Sequence, residues 1–280
     1  MATPEAPLRE ILKSISFTQL PLRHIEPFFE AEKIYAPRLF IYGWPPSKAQ
    51  KSSLPTYDIE CLRTLAVLKF ANYGFDIHYT NEPNGSPNGK LPYLLLPNGQ
   101  AISSEGVLEH LKQSGHNLPE STLTNELVYC TMVERNLVPA AEYTVWVDSA
   151  GFEKIGDGRY LREYPAVVRY LLGWFKASNV AHDMRVRMPE YGAALDGEIL
   201  FENAIRVLDS LVVLLGDREY LAGSPGLLDA WVFACLNIII EAPVKSPIRT
   251  ALLRPDSKYQ PLVSYALRLA EKHMDTGSSE

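Results

Sequence analysis

Cysteine is scarce in this chain of 280 residues: Cys61, Cys130 and Cys235 lie about seventy and about one hundred residues apart inside apolar stretches. An odd number with no CxxC pair excludes a disulfide framework and a thiolate metal site, and reads as buried thiols in a reducing compartment. The six histidines, at positions 24, 78, 110, 116, 182 and 273, show no ligand spacing, so no metal and no cofactor is expected. Positive charge is also short. With 27 Lys and Arg against 33 Asp and Glu, the formal charge is −6, and no clustered basic face offers itself to nucleic acid. Long apolar runs are missing as well. The most apolar stretch, Leu227 to Ile240, is about fourteen residues long and carries Asp229 and Asn237, whereas a bilayer span needs about twenty. The opening MATPEAPLREILKSISF has no apolar core of a secretory signal, and Glu5 and Glu10 are out of place in a mitochondrial presequence. Membrane contact is therefore expected to be peripheral, through a partner. Asn84-Gly85-Ser86 has the form of a glycosylation sequon and is read as a turn.

What is present is ordinary globular material: 46% hydrophobic and 21% charged residues suffice for a substantial core. The densest signal runs from Lys90 to Lys112, KLPYLLLPNGQAISSEGVLEHLK. An apolar run Tyr93 to Leu96, a Pro97-Asn98-Gly99 turn, the pair Ala101-Ile102, two serines and an amphipathic segment from about Glu105 predict strand, tight turn, strand and helix. Asn98-Gly99 is the dipeptide of a two-residue hairpin with positive φ at both central positions. Ser103 and Ser104 stand where hydroxyls can accept the free amides of the helix's first turn.

In chain order, residues 1–36 form a leader with prolines at 4, 7, 21 and 27 but many apolar residues, among them Leu8, Ile11, Leu12, Phe17 and Leu20. They suit either a segment packed on its own domain or an arm laid on a partner. Arg38 to Gly43 reads as a buried strand. A polar loop leads to a helix over about Tyr57 to Tyr73, with Asp58 and Glu60 in its first turn and Ile59, Leu62, Leu65, Ala66 and Phe70 on one broad face. Phe75 to Thr80 alternates as a second strand, and the linker NEPNGSPNG delivers the chain to Leu91-Pro92. The strand-helix-strand opening implies a parallel pair with a right-handed crossover. From about Leu118 only helical periods appear: Thr122 to Trp146, Tyr160 to Asn179, Ala194 to Leu215, Leu228 to Glu241 and Gln260 to His273. The expected organisation is a leader (1–36), an α/β domain (37–116), an all-α domain (117–274) and a tail (275–280).

An α/β front of this order followed by a helical rear resembles the glutathione transferase fold, with a thioredoxin-like amino-terminal domain and a helical bundle behind it. That resemblance puts Pro92 at the cis-proline before the third strand, beside backbone that can meet an extended ligand. The strings LPTYDIECLRTLAVLKFA, NEPNGSPNGKLPYLL, AISSEGVLEHL, EYTVWVD and YLAGSPGLLDAWVFACL, in this order over about residues 37–245, are similar to the metaxin family. The leader string REILKSISFTQLPLR resembles the start of the anchorless metaxin-like subunit of the fungal mitochondrial sorting and assembly machinery. The resemblance implies a non-catalytic subunit on the cytosolic face of the mitochondrial outer membrane, bound to a transmembrane β-barrel subunit and a second metaxin-like subunit. Its implied task is to assist recognition and insertion of β-barrel precursors through their β-signal. Leu8, Ile11, Leu12, Phe17 and Leu20 are the candidate partner-binding residues.

The resemblance to the transferase fold also raises a glutathione-dependent enzyme as the alternative, and a dimerisation module as a third reading; fold alone decides nothing. A transferase activates the thiol with a hydroxyl or thiol near the first strand or the start of the first helix, and Tyr42, Ser52, Ser53, Thr56, Tyr57 and Cys61 fall in that region. Cys61, a turn inside the helix, reads as a structural thiol. Ser103 stands where transferases carry the acidic or Gln residue that holds the glutathione amine, while Ser104 keeps the serine. Asp229, near the amino end of a core helix, lacks the Ser or Thr three residues earlier that completes a reciprocal cap, since Gly226 and Leu227 stand there. Its expected role is to satisfy backbone amides.

Overall fold

The computed structural model describes residues 35–43, 54–161, 164–187, 197–242 and 244–274. The leader residues Leu8, Ile11, Leu12, Phe17 and Leu20, together with Ser52 and Ser53, lie outside them.

Four short strands form one sheet: β1 (Arg38–Tyr42), β2 (Asp76–Thr80), β3 (Tyr93–Leu95) and β4 (Ala101–Ser103), in the order β2-β1-β3-β4. β1 and β2 run parallel, with Leu39 opposite Ile77, and α1 (Ile59–Phe70) crosses between them. β3 lies antiparallel to β1, and β4 antiparallel to β3. Alternation sets the two faces: Leu39, Ile41 and Leu94 are fully buried, while Arg38, Phe40 and Tyr42 point to the other side. On that other face register aligns His78, Phe40, Tyr93 and Ser103 across the strands. The Phe40 and Tyr93 rings stack at 4.5 Å.

Local chemistry fixes the boundaries. Asp58 caps α1 by accepting the Cys61 amide at 3.0 Å, and Asn72, in the left-handed region at φ 52°, stops the helix. The Leu91-Pro92 peptide is cis, and Leu91, Pro92 and Tyr93 are all buried. The hairpin departs from the two-residue turn read from Asn98-Gly99. Leu96 accepts the Gly99 amide and donates to the Gln100 carbonyl, both at 2.9 Å, and only Gly99 has positive φ. Pro97, with its fixed φ, takes the first corner of a three-residue loop closed by Gly99. The serine cap is likewise corrected. Ser103 precedes a short tight turn, Ser104–Gly106, but its side chain makes no capping bond there, and α2 (Val107–Gln113) starts from Gly106 instead.

Behind the sheet the chain is helical. The helix α3 spans 126–147 as ordinary turns (Glu126–Met132, Val138–Glu142) alternating with wide, π-type turns (Val133–Leu137, Tyr143–Val147). Pro139 removes one N–H from its ladder, and the wide turn just before it lets the helix run on. Asp148 adopts an extended ψ, ends α3 and caps the next helix by accepting the Gly151 amide at 2.9 Å. That helix, α4, comprises Ser149–Gly151 and the wide-turned Phe152–Tyr160. The helix expected from Tyr160 begins only after Pro165, as α5 (Ala166–Arg187). α6 (Gly197–Leu215), α7 (Leu227–Glu241), α8 (Pro247–Leu253) and α9 (Gln260–Met274) follow. α8 was not expected, although Ser246-Pro247 is a cap followed by a first-turn proline, and Ser246 Oγ accepts the Arg249 amide at 3.2 Å.

One hydrophobic core runs through both halves. The buried face of α1, with Leu62, Leu65 and Leu68, packs along α7, and each such leucine stabilises the fold by about 1.5–3 kcal/mol. The Arg63 guanidinium sits 4.6 Å over the Trp231 ring of α7, and Phe70 meets His273 of α9 edge-on at 4.9 Å.

Candidate functional site

The residues that chemistry would single out converge where the end of β1 and the start of α1 meet the helical half. The Tyr42 amide donates to Cys61 Sγ at 3.4 Å, so the thiol sits inside the contact between strand and helix. Cys61 is fully buried, and burial, reinforced by the Asp58 carboxylate, pushes its thiol well above the ordinary range. Burial also raises the Tyr42 hydroxyl to about 12, again with Asp58 adding to it. Neither group is poised to ionise near neutrality. Cys130, pushed up to about 12, and Cys235, raised further, are buried thiols by the same cause.

Tyr160, the last residue of α4, closes this corner. Its hydroxyl accepts the Tyr57 amide at 2.6 Å and shares a hydrogen bond with the Thr56 hydroxyl at 3.1 Å, all buried. Thr56 Oγ1 also accepts the Asp58 amide at 3.1 Å, so the hydroxyl beside α1 is engaged on two sides. The Tyr160 carbonyl accepts from the Asn81 side chain at 3.2 Å. Its ring packs against Trp146 at 5.3 Å and meets Tyr42 edge-on at 6.2 Å. Gly43 stands beside the ring at φ 117°, which L side chains rarely adopt; a Cβ there would meet the ring in ordinary van der Waals contact at 3.4 Å. Lys176 of α5 places its ammonium 5.1 Å from the Tyr42 ring centre and 5.2 Å from that of Trp146. Nearby, Glu142 of α3 accepts from Arg187 at 2.8 Å; burial raises its carboxyl, with Arg187 pulling the other way.

Of the residues singled out from sequence, Tyr42, Thr56, Tyr57 and Cys61 are brought together here. Pro92, just before β3, and Ser103, the last residue of β4, lie together at the open end of the hairpin, where Tyr93 stands opposite both Ser103 and Phe40 of β1, and Ser104 opens the turn before α2. Gly85 of the linker lies so close to the Tyr93 hydroxyl that a side chain there would collide with it. Asp229 is a separate, fully buried node. Its Oδ1 accepts the Leu221 amide at 2.8 Å and the Tyr265 hydroxyl at 2.5 Å, and its Oδ2 the Gly226 amide at 3.2 Å. Sequence reasoning gave Tyr160, Lys176 and Glu142 no role. Tyr160 touches residues more than one hundred positions away, and no local pattern announces such a contact.

Among solved structures the architecture matches a glutathione S-transferase of Ceriporiopsis subvermispora in complex with glutathione (TM-score 0.54, 12% identity, covering 84% of this chain and 97% of that one). It also matches the β-etherase LigF from a Sphingobium strain (TM-score 0.51, 15% identity, covering 85% and 98%). Residues 204–269 fit the family model of the glutathione S-transferase C-terminal domain. The class is therefore a glutathione-transferase-like fold, a thioredoxin-like sheet domain joined to a helical bundle.

Sequence narrows this further. Residues 61–176 fit the Tom37 family model, described as an outer mitochondrial membrane transport complex protein. Metaxin-1 of Mus musculus is 25% identical over 210 residues, 72% of this chain and 66% of that protein. Metaxin-3 of Xenopus laevis is 27% identical over 198 residues (68% and 64%), and a Metaxin-1 homolog of Caenorhabditis briggsae 29% over 216 residues (73% and 65%). The chain is thus similar to the metaxins, and the matches span just under two thirds of the length of these relatives.

Proposed function

We propose that this chain is a non-catalytic, peripheral subunit of the mitochondrial outer-membrane sorting and assembly machinery. The observation that carries the reading is the outer-membrane transport complex family match over 61–176, which runs from α1 of the sheet domain into α5 of the helical half. The chemistry of the candidate site supports it. Thr56 is engaged within the protein, and Cys61 and Tyr42 are held protonated by burial, so none of the three is set to activate a thiol.

In this reading the subunit binds a transmembrane β-barrel subunit on the cytosolic face, beside a second metaxin-like subunit, and assists recognition and insertion of β-barrel precursors. No helix among the described residues is long and apolar enough to cross a membrane. The proposed attachment runs through partners, with the leader residues Leu8, Ile11, Leu12, Phe17 and Leu20 as one contact. The β-signal, an extended segment, fits recognition by strand pairing at a sheet edge, where main-chain hydrogen bonds tolerate many sequences and side-chain pockets add choice. β2 and β4 are the two edges of this sheet.

The test is a mild-detergent pull-down of the tagged protein from mitochondria, with a carbonate wash in parallel. Recovery of an outer-membrane barrel protein and a second metaxin-like chain is expected, with release by carbonate. The double variant Leu12→Asp, Phe17→Asp should lose these partners while keeping its melting temperature. A chain that recovers neither partner and instead binds and turns over glutathione would refute the subunit reading in favour of a transferase.

A further inference from the structure

We propose that Tyr160 is a latch between the two halves of the fold, a hydrogen-bonded pin that holds the corner between β1, α1 and α4 shut. The proposal stands on geometry independent of the subunit reading. A single buried phenol joins residues 103 and 104 positions away: the Tyr57 amide at 2.6 Å and the Thr56 hydroxyl at 3.1 Å. Tyr57 immediately precedes Asp58, the cap of α1, so the phenol sits on the first amides entering that helix. With Tyr160 in place, that amide and that hydroxyl are unavailable to any other acceptor.

The element carrying the phenol is suited to let go. α4 ends in the wide-turned stretch Phe152–Tyr160. Such turns occur mostly as short insertions in ordinary helices, frequently at functional sites. Tightening to the ordinary 3.6 residues per turn would rotate the last residue around the helix axis and carry its side chain off the Tyr57 amide. Two contacts set the closed position: the Trp146 ring, against which the Tyr160 ring packs at 5.3 Å, and the Asn81 side chain, which holds the Tyr160 carbonyl. Lys176, over the Tyr42 and Trp146 rings, lines the same corner. Opening would therefore release a backbone donor and a hydroxyl that the closed form keeps inside.

The test is native-state hydrogen exchange on the full chain and on Tyr160→Phe, which keeps the ring and removes the hydroxyl. The latch predicts that the Tyr57 amide and its neighbours at the start of α1 exchange at least tenfold faster in the variant. The slowest amides of α7, which report global opening, should change by a smaller factor. Thr56→Val keeps the Tyr57 contact but also removes the acceptor of the Asp58 amide, so it should speed exchange at Asp58 and leave Tyr57 slower than in Tyr160→Phe. Unchanged exchange at Tyr57 in Tyr160→Phe would overturn the proposal. So would acceleration by one common factor throughout the chain, because that would make Tyr160 a contributor to overall stability only.

Discussion

Replacing Asp229 tests how the start of α7 is held. Its carboxylate is fully buried and takes three donors, the amides of Leu221 and Gly226 and the hydroxyl of Tyr265. In Asp229→Ala all three lose their acceptor in a place water does not reach. At about 1–3 kcal/mol for each buried unsatisfied group, with some relaxation, the expected loss is about 4–6 kcal/mol. That is a large part of the roughly 5–15 kcal/mol that keeps a domain folded. Asp229→Asn keeps one acceptor oxygen and should lose about 2–4 kcal/mol, and Tyr265→Phe, which removes one bond to a charged group, about 1.5–3 kcal/mol. The double variant should lose less than the sum of the single effects, because the two side chains act on each other. Urea unfolding followed by circular dichroism measures all of these. Burial raises the Asp229 carboxyl above its ordinary value, with the bonds from Tyr265, Leu221 and Gly226 opposing. A raised group contributes most below its unfolded pKa of about 3.9 and loses that contribution as pH rises through its folded pKa. The stability gap between wild type and Asp229→Asn should therefore narrow as pH climbs from about 4. A loss under 1 kcal/mol in Asp229→Ala, or a gap that widens with pH, would refute the reasoning.

Thiol labelling gives a second check. Cys61 and Cys235 are fully buried with raised pKa values, so a disulfide reagent at pH 8 should leave both unmodified in the native protein and label all three cysteines in urea; prompt native labelling of Cys61 would show an accessible thiolate. Gly173 supplies the third. A Cβ there would run into the Phe152 ring, so Gly173→Ala should lower stability by about 1–3 kcal/mol in thermal melts, and Phe152→Leu should recover part of the loss. An unchanged melting temperature would mean that the Phe152 ring moves aside freely.

The elements most legible in the sequence were those whose local pattern and tertiary environment agree. Arg38–Tyr42 alternates because one face is buried, and Ile59–Phe70 shows a broad apolar face because it lies in the shared core. Legibility failed where one residue outranked its neighbours. Pro97 turned an Asn-Gly hairpin into a three-residue loop, and Pro165 moved the start of α5. The candidate site was half visible. Tyr42, Thr56, Tyr57 and Cys61 lie close in sequence and carry reactive groups, but the phenol that closes the corner arrives from the other half, and only three-dimensional packing brings it there. Ser103 shows the converse: the right residue type at a helix start, with no bond made.

The core shared by α1 and α7 also has a meaning for synthesis. Among the described residues the last strand ends at Ser103 and the elements after it are helical, yet the broad face of α1 finds its partner only when Leu227–Glu241 has been made, more than 150 residues later. At about 5–20 residues per second on the ribosome, that face waits for roughly ten to thirty seconds with its apolar side chains uncovered. During that interval the nascent chain exposes an apolar surface that the finished protein buries.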